Sequence, residues 1–140
     1  MNRQIELPNF LNPDETKCKC GCGLEVSPKI LILVQAFSFY LSRIMNGAIR
    51  IDVHSGARCP KHNADEGGEK DSQHVPGLAL DVIFMCQSPD AQWFQLNNSD
   101  VAKLATQSGL FTGIGLKRYI VEGKNLVHLD CRPGNHIAIW

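Results

Sequence analysis

A carboxylate in an apolar run is the first feature of this sequence that points to chemistry. Asp81 lies in the segment LALDVIF (78–84), with hydrophobic residues on both sides. A buried carboxylate is destabilising unless it is paired or bound to a metal, so Asp81 needs a cationic partner. The preceding loop supplies His74, which the intervening Pro-Gly turn can fold back toward the carboxylate. The two residues are candidate ligands of one zinc ion; an ion pair of Asp81 with Arg58 or Arg132 is the alternative.

A second candidate pair follows in the segment LVHLDC (126–131). His128 and Asp130 are two residues apart, so in a strand they project from the same face. With His74 and Asp81, His128 completes a set of two imidazoles and one carboxylate, which leaves a fourth tetrahedral position open for water. That set is typical of a catalytic zinc. A lone histidine is more often a surface or hydrogen-bonded residue, so spacing alone leaves both interpretations open.

The cysteines form a separate group of chemically competent residues. Cys18, Cys20 and Cys22 alternate, so their thiols lie on one face of an extended stretch, and Cys59 precedes the His74 loop motif. These four thiols are a candidate structural zinc site, although they lack the Cys-x-x-Cys spacing of zinc fingers. The alternative is a set of unpaired reduced thiols or a labile disulfide. The sequence does not decide between them.

Composition predicts one soluble globular domain spanning residues 1–140. Hydrophobic residues make up 44% of the 140 residues, which is ample for a single core. Lys and Arg number 14 and Asp and Glu number 14, so the strongly basic field needed for nonspecific nucleic-acid binding is missing. The longest apolar run, 30–34, is far shorter than the ~18 residues that span a bilayer. We therefore expect no nucleic-acid partner and no membrane insertion. We also expect a monomer.

The beginning of the sequence, MNRQIELPNF, contains no apolar run followed by a small-residue cleavage site. We therefore expect a protein made in the cytoplasm without a recognisable signal peptide. Reduced thiols are the default in that compartment.

Hydrophobic periodicity predicts an α+β fold in which a mostly antiparallel sheet carries helices on one side. Residues 1–26 read as an irregular, cysteine-containing lead-in. The remaining predicted elements are a helix capped by Ser27 and ended by Asn46-Gly47, a strand over 49–54, a long polar loop over 57–75, a strand over 78–84, a helix over 100–107 capped by Ser99, and short segments at 111–116, 117–121 and 126–131.

Three separated motifs carry a resemblance to a known family. SQHVPGLALD (72–81) resembles the Ser-x-His-x-x-Gly-x-Ala-x-Asp signature of the zinc D-Ala-D-Ala carboxypeptidases, which are related in fold to lysostaphin-type peptidases and the hedgehog signalling domain. SGARCPKHN (55–63), followed by Gly67-Gly68, resembles the Ser-Gly-x-Arg segment of the family's short phage- and prophage-associated branch. VHLDCRPG (127–134) resembles that branch's closing strand. The motifs occur in the family's order, and the similarity runs from about Phe10 to Trp140.

The resemblance implies a hedgehog/D-Ala-D-Ala-peptidase-like fold and assigns roles to individual residues. The zinc ligands by this match are His74, Asp81 and His128. Arg58 matches the arginine that holds the scissile carbonyl oxygen or the substrate carboxylate, so we expect it to act on substrate and not in folding. Ser72 and His62 are further candidates for contact with substrate. Two other histidines, His54 and His136, are expected at the surface.

The general base is the position at which this sequence departs from the family. Several members place an acidic residue three positions before the last histidine ligand, and here that position is Asn125, which cannot accept a proton from water. Asp130, on the strand face of His128, is the predicted replacement, and Glu122 is the reserve candidate. The alternative role for Asp130 is to orient a ligand or Arg58.

The function that follows is zinc-dependent hydrolysis of amide bonds in peptidoglycan peptides, by a carboxypeptidase or an endopeptidase. Such an enzyme acts on the cell wall if lysis or a phage structure releases it. The alternative is an inactive zinc-containing module that binds peptidoglycan or serves as a structural part of a phage or prophage product.

Overall fold

The computed structural model describes residues 11, 13–116 and 126–140. Its elements are α1 (Pro13–Thr16), α2 (Pro28–Met45), β1 (Ile49–Ser55), α3 (Pro60–Asp65), β2 (Ala79–Gln87), β3 (Trp93–Gln95), α4 (Asn98–Ser108), β4 (Gly113–Gly115), β5 (Val127–Asp130) and β6 (Ala138–Ile139). The predicted segment 117–121 lies outside the described residues, as do Glu122 and Asn125.

The six strands form one sheet, in which β2 pairs with three other strands. Strand order is β1-β2-β5-β4-β6, and β3 also pairs with β2. All neighbours are antiparallel except β4 and β6, which are parallel. The predicted α+β class with a mostly antiparallel sheet is therefore confirmed.

Alternation along the strands gives the sheet two chemically different faces. Leu80, Val82 and Phe84 of β2 belong to the buried core, together with Leu129 of β5. The long helices cover this face, α2 against β1 and β2 and α4 against β4 and β5. Residues at the intervening positions, such as Asp81, project from the opposite face. The apolar face thus anchors the strands, and the other face is left for polar groups.

The helix α2 forms as its sequence predicts. Ser27 caps it by accepting a hydrogen bond from the Lys29 backbone N–H, and Asn46 ends it in the left-handed conformation. By length and composition α2 is apolar enough to cross a membrane. One of its faces, however, lies in the core, where Phe37 makes edge-on ring contacts with Phe84 and Phe111 at centroid distances of 5.4 and 5.5 Å. This packing gives the apolar composition of α2 a role inside the folded domain.

Several predicted boundaries change in the structure. The helix α4 is capped by Asn97 and not by Ser99, because Asn97 Oδ1 accepts hydrogen bonds from the backbone N–H groups of Ser99 and Asp100. The predicted loop 57–75 contains the short helix α3, and the irregular lead-in contains α1. The strands β3 and β6 were not predicted, because runs of two or three residues are too short to show alternation.

Candidate metal centre and cleft

Pairing of β2 with β5 brings two of the predicted ligands together. Asp81 and His128 are directly opposite in the antiparallel register, on the face away from the core. His74 reaches the same place from the loop that precedes β2. One donor atom from each of the three side chains lies within 4.8 Å of the other two, and all three residues are buried. The sheet and one loop therefore assemble the predicted cluster.

His74 is held in one orientation by the backbone. Its Nδ1 lies 2.7 Å from the Gly56 carbonyl oxygen, so Nδ1–H donates and the ring lone pair is on Nε2. That Nε2 is fully buried and makes no hydrogen bond. It lies 3.2 Å from Asp81 Oδ2, and burial lowers the pKa of His74 against the attraction of Asp81. A neutral nitrogen lone pair thus faces a carboxylate oxygen, an arrangement that a cation between them would satisfy.

His128 lies between two carboxylates. Its Nδ1 is 2.9 Å from Asp81 Oδ1, and its Nε2 is 2.8 Å from Asp130 Oδ2. When Nε2–H donates to Asp130, the lone pair of Nδ1 is directed toward Asp81. Histidine ligands of metals commonly donate their second ring N–H to a carbonyl or carboxylate, and here Gly56 and Asp130 supply those two acceptors. The donor set and its supporting hydrogen bonds fit a bound metal ion.

Asp81 also has a guanidinium partner. Arg58 Nη2 lies 3.3 Å from Asp81 Oδ2, which forms one of the two ion pairs that the sequence left open. Arg132 pairs with Asp130 instead. Burial by itself would raise the pKa of Asp81, but its close contacts with the imidazoles of His128 and His74 hold that pKa well below its usual range. Asp81 is therefore ionised and available as a ligand.

Asn63 connects Arg58 to the loop that precedes the cluster. Its Oδ1 accepts a hydrogen bond from Arg58 Nη1 at 3.3 Å, and its Nδ2 donates to the Glu69 carbonyl at 2.8 Å. Arg58 Nε also donates to Ser55 Oγ at 3.0 Å. Together with the contact of Nη2 with Asp81, these hydrogen bonds use three of the five N–H groups of the guanidinium, which leaves two that can reach a ligand. Asn63 is thus the buried centre of the SGARCPKHN motif, a role that sequence reasoning did not assign.

Arg58→Ala should lower the free energy of unfolding of the metal-free protein by up to about 3–5 kcal/mol, because it removes the guanidinium from a buried ion pair with Asp81. The side chains of Arg58 and Asp81 are only 8% and 2% exposed. This revises the expectation from the sequence that Arg58 has no part in folding. Urea denaturation measures the change.

The matched control is Arg50→Ala. It removes a pair with Asp52 in which the side chains are 42% and 37% exposed, so it should cost at most about 1 kcal/mol. An Arg58→Ala protein as stable as the Arg50→Ala protein would show that Arg58 does not contribute to the fold.

Asp130 is fully buried and has many donors around it. Arg132 donates to its carboxylate from Nε at 2.9 Å, from Nη2 at 2.5 Å and from the backbone N–H at 3.1 Å, in addition to the contact with His128. Burial opposes ionisation of Asp130, yet these hydrogen bonds hold its pKa well below the usual range. The opposite position on β4 is Gly113, where a Cβ would lie 2.1 Å from the carboxylate oxygens. Glycine at 113 thus makes the space for this carboxylate.

An open cleft of about 380 Å³ lies beside the cluster. Among its lining residues are Arg58, Ser72, Gln73, His128, Arg132 and Trp140. The guanidinium of Arg132 lies over the Trp140 ring at 4.9 Å, and the ring of His128 is 5.1 Å from the same indole. Trp140 was not predicted as a site residue, because no motif includes it and only the tertiary fold brings it to the cleft.

The other predicted residues are distributed around this centre. Ser72 accepts a hydrogen bond from the His74 backbone N–H at 3.3 Å. His62 is half-buried, pairs with Glu66 at 3.8 Å, and lines a second cleft of about 280 Å³ together with His54 and Asp81. His136 is exposed. Substrate contact by Ser72 and His62 stays a prediction.

The sheet, the buried His-Asp-His cluster and the adjoining cleft define a class of protein, a small α+β domain with a candidate metal centre beside an open cleft. The model of the family described as Peptidase M15 matches residues 9–130. The chain therefore belongs to the peptidase M15 family of metallopeptidases. No curated protein sequence matches it significantly.

Proposed function

We propose that this protein is a zinc-dependent peptidase that hydrolyses amide bonds in peptidoglycan peptides. The observation that carries the proposal is the buried His74–Asp81–His128 cluster, in which His74 Nε2 has no hydrogen bond. Membership of the peptidase M15 family supports the reaction type. The cleft beside the cluster, which His128 lines, is the route that we propose for the peptide.

The donor set favours zinc over other common ions. Two imidazole nitrogens and one carboxylate are the ligands of many catalytic zinc sites, whereas calcium and magnesium prefer all-oxygen sets. Bound there, zinc would polarise the amide carbonyl and lower the pKa of a water molecule to about 7.

The chain's own side chains would bind and orient the substrate. Arg58 lines both clefts and keeps two N–H groups for a carbonyl oxygen or a carboxylate. Arg132, whose guanidinium pairs with Asp130, and the Trp140 ring form a wall that combines a polar edge with an apolar surface. These groups suit a short peptide that carries a terminal carboxylate, as peptidoglycan stems do.

The contacts of Asp130 support the orienting role over that of general base. A general base needs an oxygen atom that is free to accept a proton from water. This carboxylate is instead buried and accepts hydrogen bonds from Arg132 and His128. A strongly depressed pKa also makes it a weak base. We therefore propose that Asp130 positions His128, and that the proton acceptor is another group, for which Glu122 is the candidate from the sequence.

The test of the proposed function is digestion of purified muropeptides by the zinc-loaded protein, followed by mass spectrometry of the products. Loss of a single terminal residue identifies a carboxypeptidase, and splitting of cross-linked dimers identifies an endopeptidase. His74→Ala is the matched inactive control. Intact muropeptides after incubation with protein shown to contain zinc in the cluster would overturn the peptidase proposal.

One observation favours a second candidate function, an inactive zinc-containing module that binds peptidoglycan. Asp130, the carboxylate next to the cluster, accepts hydrogen bonds from Arg132. The position three residues before His128, where several family members have an acidic residue, is Asn125. Such a module would sediment with purified cell walls and release no peptide. In either case we propose that the partner is the cell wall and that the protein reaches it through lysis or a phage structure.

A further inference from the structure

Four thiols from two distant parts of the chain meet at one place, away from the His-Asp-His cluster. Cys18, Cys20 and Cys22 lie between α1 and α2, and Cys59 is the N-cap of α3. Their sulfur atoms all lie within 4.8 Å of one another. The other two cysteines, Cys86 and Cys131, are buried elsewhere in the core.

The sulfur spacing matches the edges of a metal tetrahedron. The Sγ atoms of Cys18 and Cys20 are 3.4 Å apart, and those of Cys20 and Cys59 are 3.6 Å apart. Zinc–sulfur bonds of about 2.3 Å at tetrahedral angles place the sulfurs roughly 3.8 Å apart. Both distances are well beyond the ~2.05 Å of a disulfide bond. The geometry is that of four ligands around a common centre.

The backbone is shaped to bring three alternating cysteines to that centre. Gly21 and Gly23 have φ values of +83° and +80°, in a region that residues with a side chain rarely adopt. The Cys18 N–H donates to the Leu24 carbonyl at 2.9 Å, which closes the loop. The CKCGCG segment therefore curls around its thiols and is not an extended strand. That curl explains how Cys-x-Cys-x-Cys can supply three ligands without the spacing of a zinc finger.

Two backbone N–H groups donate hydrogen bonds to sulfur atoms of this cluster. The Cys59 backbone N–H donates to Cys18 Sγ at 3.3 Å, and the His62 backbone N–H donates to Cys59 Sγ at 3.4 Å. Backbone N–H donors of this kind stabilise the thiolate form that binds a metal.

We propose that Cys18, Cys20, Cys22 and Cys59 bind one zinc ion as a closed, four-thiolate structural site. Four protein ligands leave no open position, which distinguishes this site from the His74–Asp81–His128 cluster. Each cysteine that enters as a thiol gives its proton to solvent, and no electron transfer is involved. The proposal does not depend on the peptidase activity.

The site would fasten the CKCGCG segment to the segment that supports the reaction centre. Cys59 directly follows Arg58, whose backbone N–H donates to the His74 carbonyl at 3.0 Å. Thr16 of α1 packs against the same segment, since its carbonyl accepts from the Ala57 N–H at 2.8 Å. At Gly56 a Cβ would lie 2.2 Å from that carbonyl oxygen. A metal at the thiols would therefore hold Gly56, whose own carbonyl orients His74.

The test is the zinc content of protein purified under reducing conditions. We expect two zinc ions per wild-type chain, one in Cys22→Ser and one in Cys20→Ser. Cys86→Ala is the matched control and should keep both, because Cys86 lies outside the cluster. His74→Ala should lose the other zinc, so a failure of this proposal is distinguishable from a failure of the proposed function.

A second measurement uses the wild-type chain and does not require a variant to fold. Titration with a mercurial thiol reagent should release one zinc ion as the four clustered thiols react, while the His-Asp-His cluster keeps its own. Cobalt substitution should add an intense thiolate-to-cobalt charge-transfer band that Cys22→Ser weakens. A zinc content in Cys20→Ser and Cys22→Ser equal to that of the wild-type protein would overturn the proposal. Disulfides among these cysteines, or iron in place of zinc, would overturn it equally.

Discussion

His74→Ala should abolish zinc binding at the His74–Asp81–His128 cluster and reduce hydrolysis to background. The substitution removes the buried nitrogen that makes no hydrogen bond, and it leaves only two protein ligands. Loss of a partner that merely orients a ligand costs about 10–100-fold in metal affinity, so loss of the ligand itself should exceed that range. Zinc titration followed by calorimetry measures the change in affinity.

His136→Ala is the matched control for His74→Ala, because it removes an exposed imidazole outside the cluster. It should keep both the affinity for zinc and the activity. Native zinc affinity in His74→Ala would mean that His74 is a buried hydrogen-bonded histidine, which is the alternative that its spacing alone left open.

Asp130→Asn and Glu122→Gln should separate positioning from proton transfer. If Asp130 orients His128, Asp130→Asn should weaken zinc binding by about 10–100-fold, and kcat should be largely restored once zinc is saturating. Glu122→Gln should instead leave zinc binding unchanged and lower kcat by about 10²–10⁴, the usual contribution of a general base. The measurements are zinc affinity, kcat at saturating zinc, and the acidic limb of the pH–rate profile.

The opposite pattern would restore the assignment made from the sequence. A 10²–10⁴-fold loss of kcat in Asp130→Asn with native zinc affinity would make Asp130 the base despite its hydrogen bonds. Full activity in Glu122→Gln would exclude Glu122 in the same experiment.

The sequence predicted those parts of the fold whose determinants are local. The cap at Ser27, the periodicity of α2 and the left-handed Asn46 are encoded within a few residues, and all appear in the structure. The central strand was also predicted, because its apolar run, with one carboxylate inside it, stands out in the sequence. Its extension to Gln87 was not, since pairing with β3 adds that end of the strand and no periodic pattern marks it.

The site could be predicted as a set of residue types but not as a network. His74, Asp81 and His128 have metal-ligand chemistry, which one sequence can show. The saturation of Asp130 depends on the guanidinium of Arg132 turning inward, and the role of Asn63 depends on where the Glu69 carbonyl lies. Both contacts join residues that are close in sequence, but they depend on side-chain and loop conformations, which the spacing of residue types does not report.

The three ligands of the cluster are held by unequal parts of the fold, and this has a kinetic consequence. Asp81 and His128 are fixed by the hydrogen-bonded ladder between β2 and β5, whereas His74 lies outside that ladder, in a loop held by turn hydrogen bonds and by contacts with Gly56 and Arg58. Local openings of a protein start in segments with few cross-links and leave its central strands intact. A bound ion would therefore exchange when the His74 loop opens, while Asp81 and His128 keep their positions in the sheet. Retention of the metal would then be set by the lifetime of that loop's closed state, and global unfolding would contribute little.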